Sequence, residues 1–322
     1  MAKVLFVVHR YAPYSGGSEY YTQNMAEELL MNGHKVTVLA HEHKGNLNGV
    51  TVTNDYNSAL NEKWDLIIVH GCDCISQNIV LSNAAIIPSP ICYMIIKPSD
   101  SKFARHGMKY AKYLSYSTSM DLAHIKEHGY LSKSRRIRHG ISTADSLGAV
   151  MKNIVPYYVS AGGFYPHKGM DELAKHFDRL GPEGTELHLF GYANGNMPNS
   201  DRVKSLLGME KSSVMDAIAS SKGYILNSYE EGFGLVLLEA MLNKVPCYAR
   251  NIAGAKDMKP YVITYENETE LFHRIREFEI LTDDEKQGIL KYNYDYVISN
   301  HTMKQTANDI IDILNEELSH WK

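Results

Sequence analysis

Short apolar runs of strand length alternate along this chain with amphipathic stretches of helical length, and the alternation starts twice. Val4-Leu5-Phe6-Val7-Val8 carries a bulky side chain at every position, without the polar alternation of a half-exposed strand, so it reads as a strand buried on both faces. Residues 3–8 predict that first strand, 17–32 a helix with Leu29 and Leu30 near its end and Gly33 as its C-cap, and 35–40 and 65–69 two further strands. The same order begins afresh at Tyr157-Tyr158-Val159-Ser160-Ala161, followed by a helix near 170–180 and a strand over 186–190. Alternating strands and helices mark a parallel sheet covered on both faces. At 322 residues, 44% of them hydrophobic, the chain has material for two such cores. The expected fold class is therefore α/β, with two Rossmann-like doubly wound domains at 1–150 and 151–301 and a connection near 142–156 that lacks a long periodic segment. Ile310, Ile311, Ile313 and Leu314 share one side of a last helix over 302–319, so the segment 302–322 is expected to pack back on the N-terminal domain.

Doubly wound sheets take ligands outside the carboxyl ends of their strands, where helix N-termini and Gly-rich loops hold anions. Two of them predict a site in an interdomain cleft. Lys and Arg number 33 against 37 Asp and Glu, so the chain is no global polycation, and any nucleic-acid or membrane contact must come from a local patch. No stretch approaches the roughly 20 apolar residues of a membrane span, and Val4–Val8 is too short for a signal-peptide core. Cys72, Cys74, Cys92 and Cys247 form neither a disulfide framework nor paired metal-ligand spacing. These features suit a cytoplasmic chain, at most peripheral to a membrane, with no metal site.

Asn227-Ser228-Tyr229-Glu230-Glu231-Gly232-Phe233-Gly234-Leu235 leads from an apolar strand through a Gly-x-Gly turn into a helix. Glu231 falls in the loop and Glu239 about one turn into the helix. A carboxylate accepts hydrogen bonds from a vicinal diol through both oxygens. Two of them flanking an anion-binding turn suit a ligand with hydroxyls at both ends and phosphate between, which describes a nucleotide sugar.

This segment resembles the GT4-type family of retaining GT-B glycosyltransferases, whose E-x7-E motif is matched by Glu231 and Glu239 in register with Gly232-Phe233-Gly234. The likeness runs on through Leu238-Glu239-Ala240-Met241, Pro246 and Ala253-Gly254, with Asp257 at the family's acidic position. Upstream, Gly16-Gly17-Ser18-Glu19 resembles the loop that the family places beside the donor phosphates. Gly162-Gly163-Phe164-Tyr165-Pro166-His167-Lys168-Gly169 resembles its G-R-x-x-x-x-K-G loop, with Gly163 where the arginine stands. Residues around Leu207-Gly208-Met209 resemble the loop whose backbone reads the nucleobase.

The resemblance implies a metal-independent hexosyl- or pentosyltransferase of GT-B fold that needs no cofactor and uses a nucleoside diphosphate sugar as donor. Glu239 would hold the ribose, Lys168 the diphosphate, and Glu231 with the Phe233-Gly234 backbone the transferred sugar. Gly16, Gly17, Gly162, Leu207, Met209, Gly232 and Leu235 complete the expected donor site, and the catalytic group is Glu231, Lys168 and His70. His70 and His139 stand as candidates to face the cleft from the first domain. Lys102, Arg105, Lys109 and Lys112 recur at helical spacing, interleaved with Phe103, Tyr110 and Tyr113, and Lys133, Arg135, Arg136 and Arg138 follow. Such a patch gathers an anionic acceptor. The expected acceptor is a glycan or lipid-linked saccharide, the patch then meeting an anionic membrane surface; the alternative is a hydroxymethylated base of DNA. A noncatalytic nucleotide-sugar-binding protein is the reading from another class, motivated by the absent arginine.

Overall fold

The computed structural model describes residues 1–14, 16–71, 74–151, 155–192 and 197–319. Cys72, residues 152–154 of the expected connection and 320–322 of the C-terminal segment lie outside them. The chain divides into two compact units: Met1–Gly140 with the C-terminal segment from Thr302, and Ile141–His301. The division falls earlier than the expected residue 150 because the stretch after Gly140 is hydrogen-bonded into the second unit. Gly148 N–H donates to Asn243 Oδ1 at 2.9 Å, Ala149 N–H to Asp216 Oδ1 at 2.7 Å, and Met151 N–H to Ser220 Oγ at 2.8 Å.

The first unit runs β1 (Lys3–Arg10), α1 (Gly17–Met31), β2 (Lys35–Glu42), β3 (Thr51–Thr53), α2 (Tyr56–Asn61), β4 (Leu66–His70), α3 (Ile75–Ser82), β5 (Ile91–Met94), α4 (Lys102–Tyr110), β6 (Tyr113–Tyr116), α5 (Ser119–Glu127) and β7 (Ser134–Arg136). Its strands lie in the order β3-β2-β1-β4-β5-β6-β7, parallel throughout. The second unit runs β8 (Tyr157–Ala161), α6 (Met170–Leu180), β9 (Glu186–Gly191), β10 (Val203–Leu207), α7 (Lys211–Ala219), β11 (Gly223–Leu226), α8 (Leu235–Leu242), β12 (Cys247–Arg250), α9 (Ala253–Asp257), β13 (Ile263–Tyr265), α10 (Glu268–Glu279) and α11 (Asp283–Asn300). Its order, β10-β9-β8-β11-β12-β13, is again parallel and repeats the doubly wound pattern.

The cores follow from strand periodicity. In β8, Tyr157 and Val159 pack against Leu237, Leu238 and Met241 of α8 on one face of the sheet, while Tyr158 packs with Leu173, Phe177 and Phe272 on the other. Burying each of these side chains contributes about 1.5–3 kcal/mol, so both faces of a parallel strand must be apolar, as the opening run of the chain already required. The last helix, α12 (Met303–Ser319), packs on α1 in the first unit, with Ile310, Ile313 and Leu314 buried. No helix among the described residues is long and apolar enough to cross a membrane.

Candidate functional site

In the second unit the strand order reverses between β8 and β11. The loops leaving their carboxyl ends are 162–169 and 227–234, the two segments singled out in the sequence. They are tied together. Tyr229 N–H donates to His167 O at 2.8 Å, and Asn227 Nδ2 donates to Gly169 O at 2.8 Å. Gly169 sits at φ +62, and a Cβ there would meet Asn227 O at 2.6 Å, so the close approach requires glycine.

This junction brings Lys168 and Glu231 together: Lys168 Nζ lies 2.5 Å from Glu231 Oε2, with the side chains 20% and 21% exposed. Ser228 Oγ donates to the same oxygen at 3.3 Å. Beyond Glu231, Gly234 takes φ +88 and opens α8, which no side chain caps. Its first N–H groups therefore carry the partial positive charge of a helix N-terminus beside the pair. Phe233 anchors the turn in the core at 6% exposure, and a Cβ on Gly254 would meet Phe233 Cα at 2.8 Å. The small residue of Ala253-Gly254 thus makes room for the turn.

Glu239 is half-way along α8. Lys211 Nζ lies 3.0 Å from its Oε1 and Ser146 Oγ donates to that oxygen at 3.4 Å, so Oε2 keeps acceptor capacity for a ligand hydroxyl. Leu207 and Met209, both nearly half exposed, flank Gly208, whose N–H donates to Gly191 O at 3.0 Å. At Gly163, where the family's arginine would stand, a Cβ would meet Tyr165 Cε2 at 2.6 Å and Tyr192 Cζ at 3.1 Å. Two half-exposed tyrosines fill the space that an arginine stem needs.

The sequence reading missed Arg250. It ends β12 almost fully buried, donates from Nε to Asn227 O at 3.1 Å and from Nη1 to Glu266 O at 3.1 Å, and pairs through Nη2 with buried Glu268. Its guanidinium also lies 4.2 Å from the Tyr229 ring centroid. The available signal was a lone charge closing an otherwise apolar strand, Cys247-Tyr248-Ala249-Arg250.

In the first unit the order reverses between β1 and β4, so the Gly16-Gly17 loop and His70, the last residue of β4, lie at that reversal. Gly16 precedes α1 in extended conformation and its Cα is covered by the Glu19 carboxylate, which accepts from Arg10 Nε at 3.0 Å and Ser18 Oγ at 2.7 Å. His70 is buried, its ring stacked on Tyr21 with centroids 5.1 Å apart, and Tyr21 meets the His139 ring edge-on at 5.1 Å. Burial lowers the His70 pKa from 6.5 to about 4. Below pH 6.5 the unfolded chain takes up a proton that the buried ring refuses, so stability is full above that pH and falls toward pH 4. Urea midpoints measured at pH 7 and 4.5 should show a drop in the wild type that is smaller in His70→Asn; an equal drop in both would disprove the assignment.

The first-unit cations do not form one helical face. The helix α4 ends at Tyr110, because Ala111 turns extended at ψ 142, and Lys112 lies beyond it. Lys112 pairs with Glu317 at 2.6 Å, Arg135 with Glu316 at 2.6 Å, and Arg138 with Asp309 at 2.5 Å, all acids of α12. Lys133 Nζ donates to the carbonyls of Met108, Lys109 and Ala111 at the end of α4. Lys102, Arg105 and Lys109 stay exposed on α4.

Residues 151–295 match the family model described as glycosyl transferases group 1. Among solved structures, sucrose-phosphate synthase from Thermosynechococcus elongatus superposes with TM-score 0.80 at 12% identity, covering 99% of this chain and 100% of that one. Anabaena HepE in complex with UDP and glucose gives 0.76 at 16% identity, covering 98% and 100%. WaaG, a glycosyltransferase involved in lipopolysaccharide biosynthesis, gives 0.71 at 14%, covering 97% and 99%. At these identities the likeness concerns the fold. No curated protein matches the sequence. The two doubly wound parallel sheets thus make the GT-B fold of these solved glycosyltransferases.

Proposed function

We propose that this chain is a retaining, GT4-type hexosyl- or pentosyltransferase that moves a sugar from a nucleoside diphosphate sugar to an acceptor hydroxyl without an essential metal. The observation that carries the reading is the meeting of Lys168, Glu231 and the uncapped start of α8 at one strand-order reversal, with Glu239 one turn further on. Lys168 and the α8 N–H groups take the diphosphate, Glu239 the ribose hydroxyls, and Glu231 with the Phe233-Gly234 backbone the transferred sugar. Gly162 and the Leu207–Met209 backbone border the nucleotide, and the Gly16-Gly17 loop of the first unit serves the donor phosphates. HepE, solved with UDP and glucose, supports a donor of this kind.

Acid–base work falls on no histidine in this reading. Burial, which lowers the His70 pKa to about 4, makes the ring a weak base, and it stacks on Tyr21. The departing phosphate oxygen takes the acceptor proton, and catalysis rests on positioning and on stabilising the leaving diphosphate. A glycan or lipid-linked saccharide is the acceptor, with Lys102, Arg105 and Lys109 turned to an anionic membrane surface. The α12 acids on Lys112, Arg135 and Arg138 shrink the patch that a DNA duplex would need, which disfavours the DNA acceptor.

The test is donor turnover against a panel of nucleoside diphosphate sugars with mixed acceptors, with anomeric configuration read by NMR. Transfer with inversion would sink the retaining assignment, and nucleotide-sugar binding without turnover would favour the noncatalytic reading. Glu239→Ala should raise the donor KM by roughly 10–100-fold with kcat nearly unchanged, because it removes binding made equally in ground and transition states. A fall in kcat at constant KM would move Glu239 to another role.

A further inference from the structure

Among the described residues, two clusters of histidine and carboxylate have ligand atoms close enough to share one cation. Glu172, His176 and Glu268 form the first, but the Arg250 guanidinium already sits there, paired with Glu268 and 3.8 Å from Glu172. Asp100, His124 and His128 form the second, in the first unit, and among the described residues the ion-pair partner of Asp100 is His128.

His124 and His128 stand one turn apart at the end of α5, with ring centroids 4.4 Å apart. His128 Nδ1 lies 3.0 Å from His124 O, and a carbonyl can only accept, so Nδ1 carries the hydrogen. In the neutral ring the lone pair is then on Nε2, and that atom lies 3.0 Å from Asp100 Oδ1. A cation shared between these two facing atoms would join them. A backbone carbonyl fixing one ring nitrogen while the other binds is the arrangement that orients metal-ligating histidines. The three ligand atoms lie within 4.8 Å of one another. Bonds of about 2.0–2.2 Å place neighbouring ligands of a tetrahedral ion roughly 3.3 Å apart, so small side-chain shifts complete the shell. The end of α5 adds the negative pole of a helix, which favours a cation. Asp100 is 67% exposed, which leaves a side open for water as fourth ligand.

We propose that Asp100, His124 and His128 bind a divalent zinc-type ion, which clips the loop before α4 to the end of α5. Imidazole and carboxylate together select this borderline class over magnesium or calcium. The site is separate from the residues assigned to sugar transfer.

Zinc chloride titrated into the chelator-treated full-length chain, followed by calorimetry and melting temperature, tests it. One equivalent is expected to bind in the micromolar range and raise the melting temperature by a few degrees at about hundredfold excess over Kd. His124→Ala, His128→Ala and Asp100→Asn should each weaken binding at least tenfold, while His176→Ala leaves it unchanged. Asp100→Asn alters an exposed side chain, so it reads out even where a histidine variant folds poorly. Zinc binding equal in wild type and all three variants, or none below millimolar zinc, would overturn the site.

Discussion

Lys168→Ala is expected to lower kcat for sugar transfer by about 10²–10³, some 2.7–4 kcal/mol of barrier, with donor KM changed only a few-fold. Negative charge grows on the diphosphate as the glycosidic bond breaks, so a fixed ammonium on it is worth more in the transition state than in the ground state. Lys168 is paired with Glu231 at 2.5 Å, in a setting about four-fifths covered from solvent. That partner holds the lysine in place before the donor arrives, which is preorganisation in its simplest form. With Gly163 leaving no guanidinium in this loop, Lys168 is the loop's cation for a diphosphate under the proposed function. Single-turnover transfer with a saturating nucleotide sugar would measure the step directly. Loss confined to KM, or a loss below tenfold, would place the diphosphate elsewhere.

Glu268→Ala should destabilise the second unit by about 3–5 kcal/mol, the usual cost of leaving a buried charge without its partner. Arg250 and Glu268 are 8% and 5% exposed, so water does not screen the orphaned guanidinium. The loss reaches the site through Asn227, whose Nδ2 donates to Glu268 Oε1 at 3.3 Å and to Gly169 O at 2.8 Å. Donor affinity should therefore weaken along with stability. Urea denaturation followed by circular dichroism, beside the double variant Arg250→Met/Glu268→Leu, separates the causes. The double variant should recover most of the stability, since apolar replacement of a buried pair is often near neutral. Equal destabilisation of single and double variants would show that packing, not charge, holds this corner.

Much of the architecture was legible because a parallel strand buried on both faces must be apolar at every position, and runs such as Leu66-Ile67-Ile68-Val69 have few other uses. The loop that carries Glu231 was legible for a similar reason: Gly234 at positive φ and Gly254 against Phe233 are backbone demands that leave glycines in the sequence. Arg250 was not, because its partners Asn227, Glu266 and Glu268 come from distant segments that only the closed sheet assembles. The first-unit cations show the opposite failure. The spacing of Lys102, Arg105, Lys109 and Lys112 pointed to one helical face, but Ala111 ends the helix before Lys112, and acids some 170–205 positions along the chain claim Lys112, Arg135 and Arg138. Local periodicity carries no record of such pairings.

The helix α12 has one more effect, on the order of events as the chain is made. Ile141 N–H donates to His301 O at 2.9 Å, so the second unit opens and closes at one point, an insert whose whole sequence has emerged by residue 301. The first unit begins to be synthesised earlier yet still lacks Ile310, Ile313 and Leu314, as well as the counter-charges for Arg135 and Arg138. The half of the molecule that leaves the ribosome first is thus the last to be finished, and a chain ending near residue 301 would hold every residue of the second unit beside an incomplete first one.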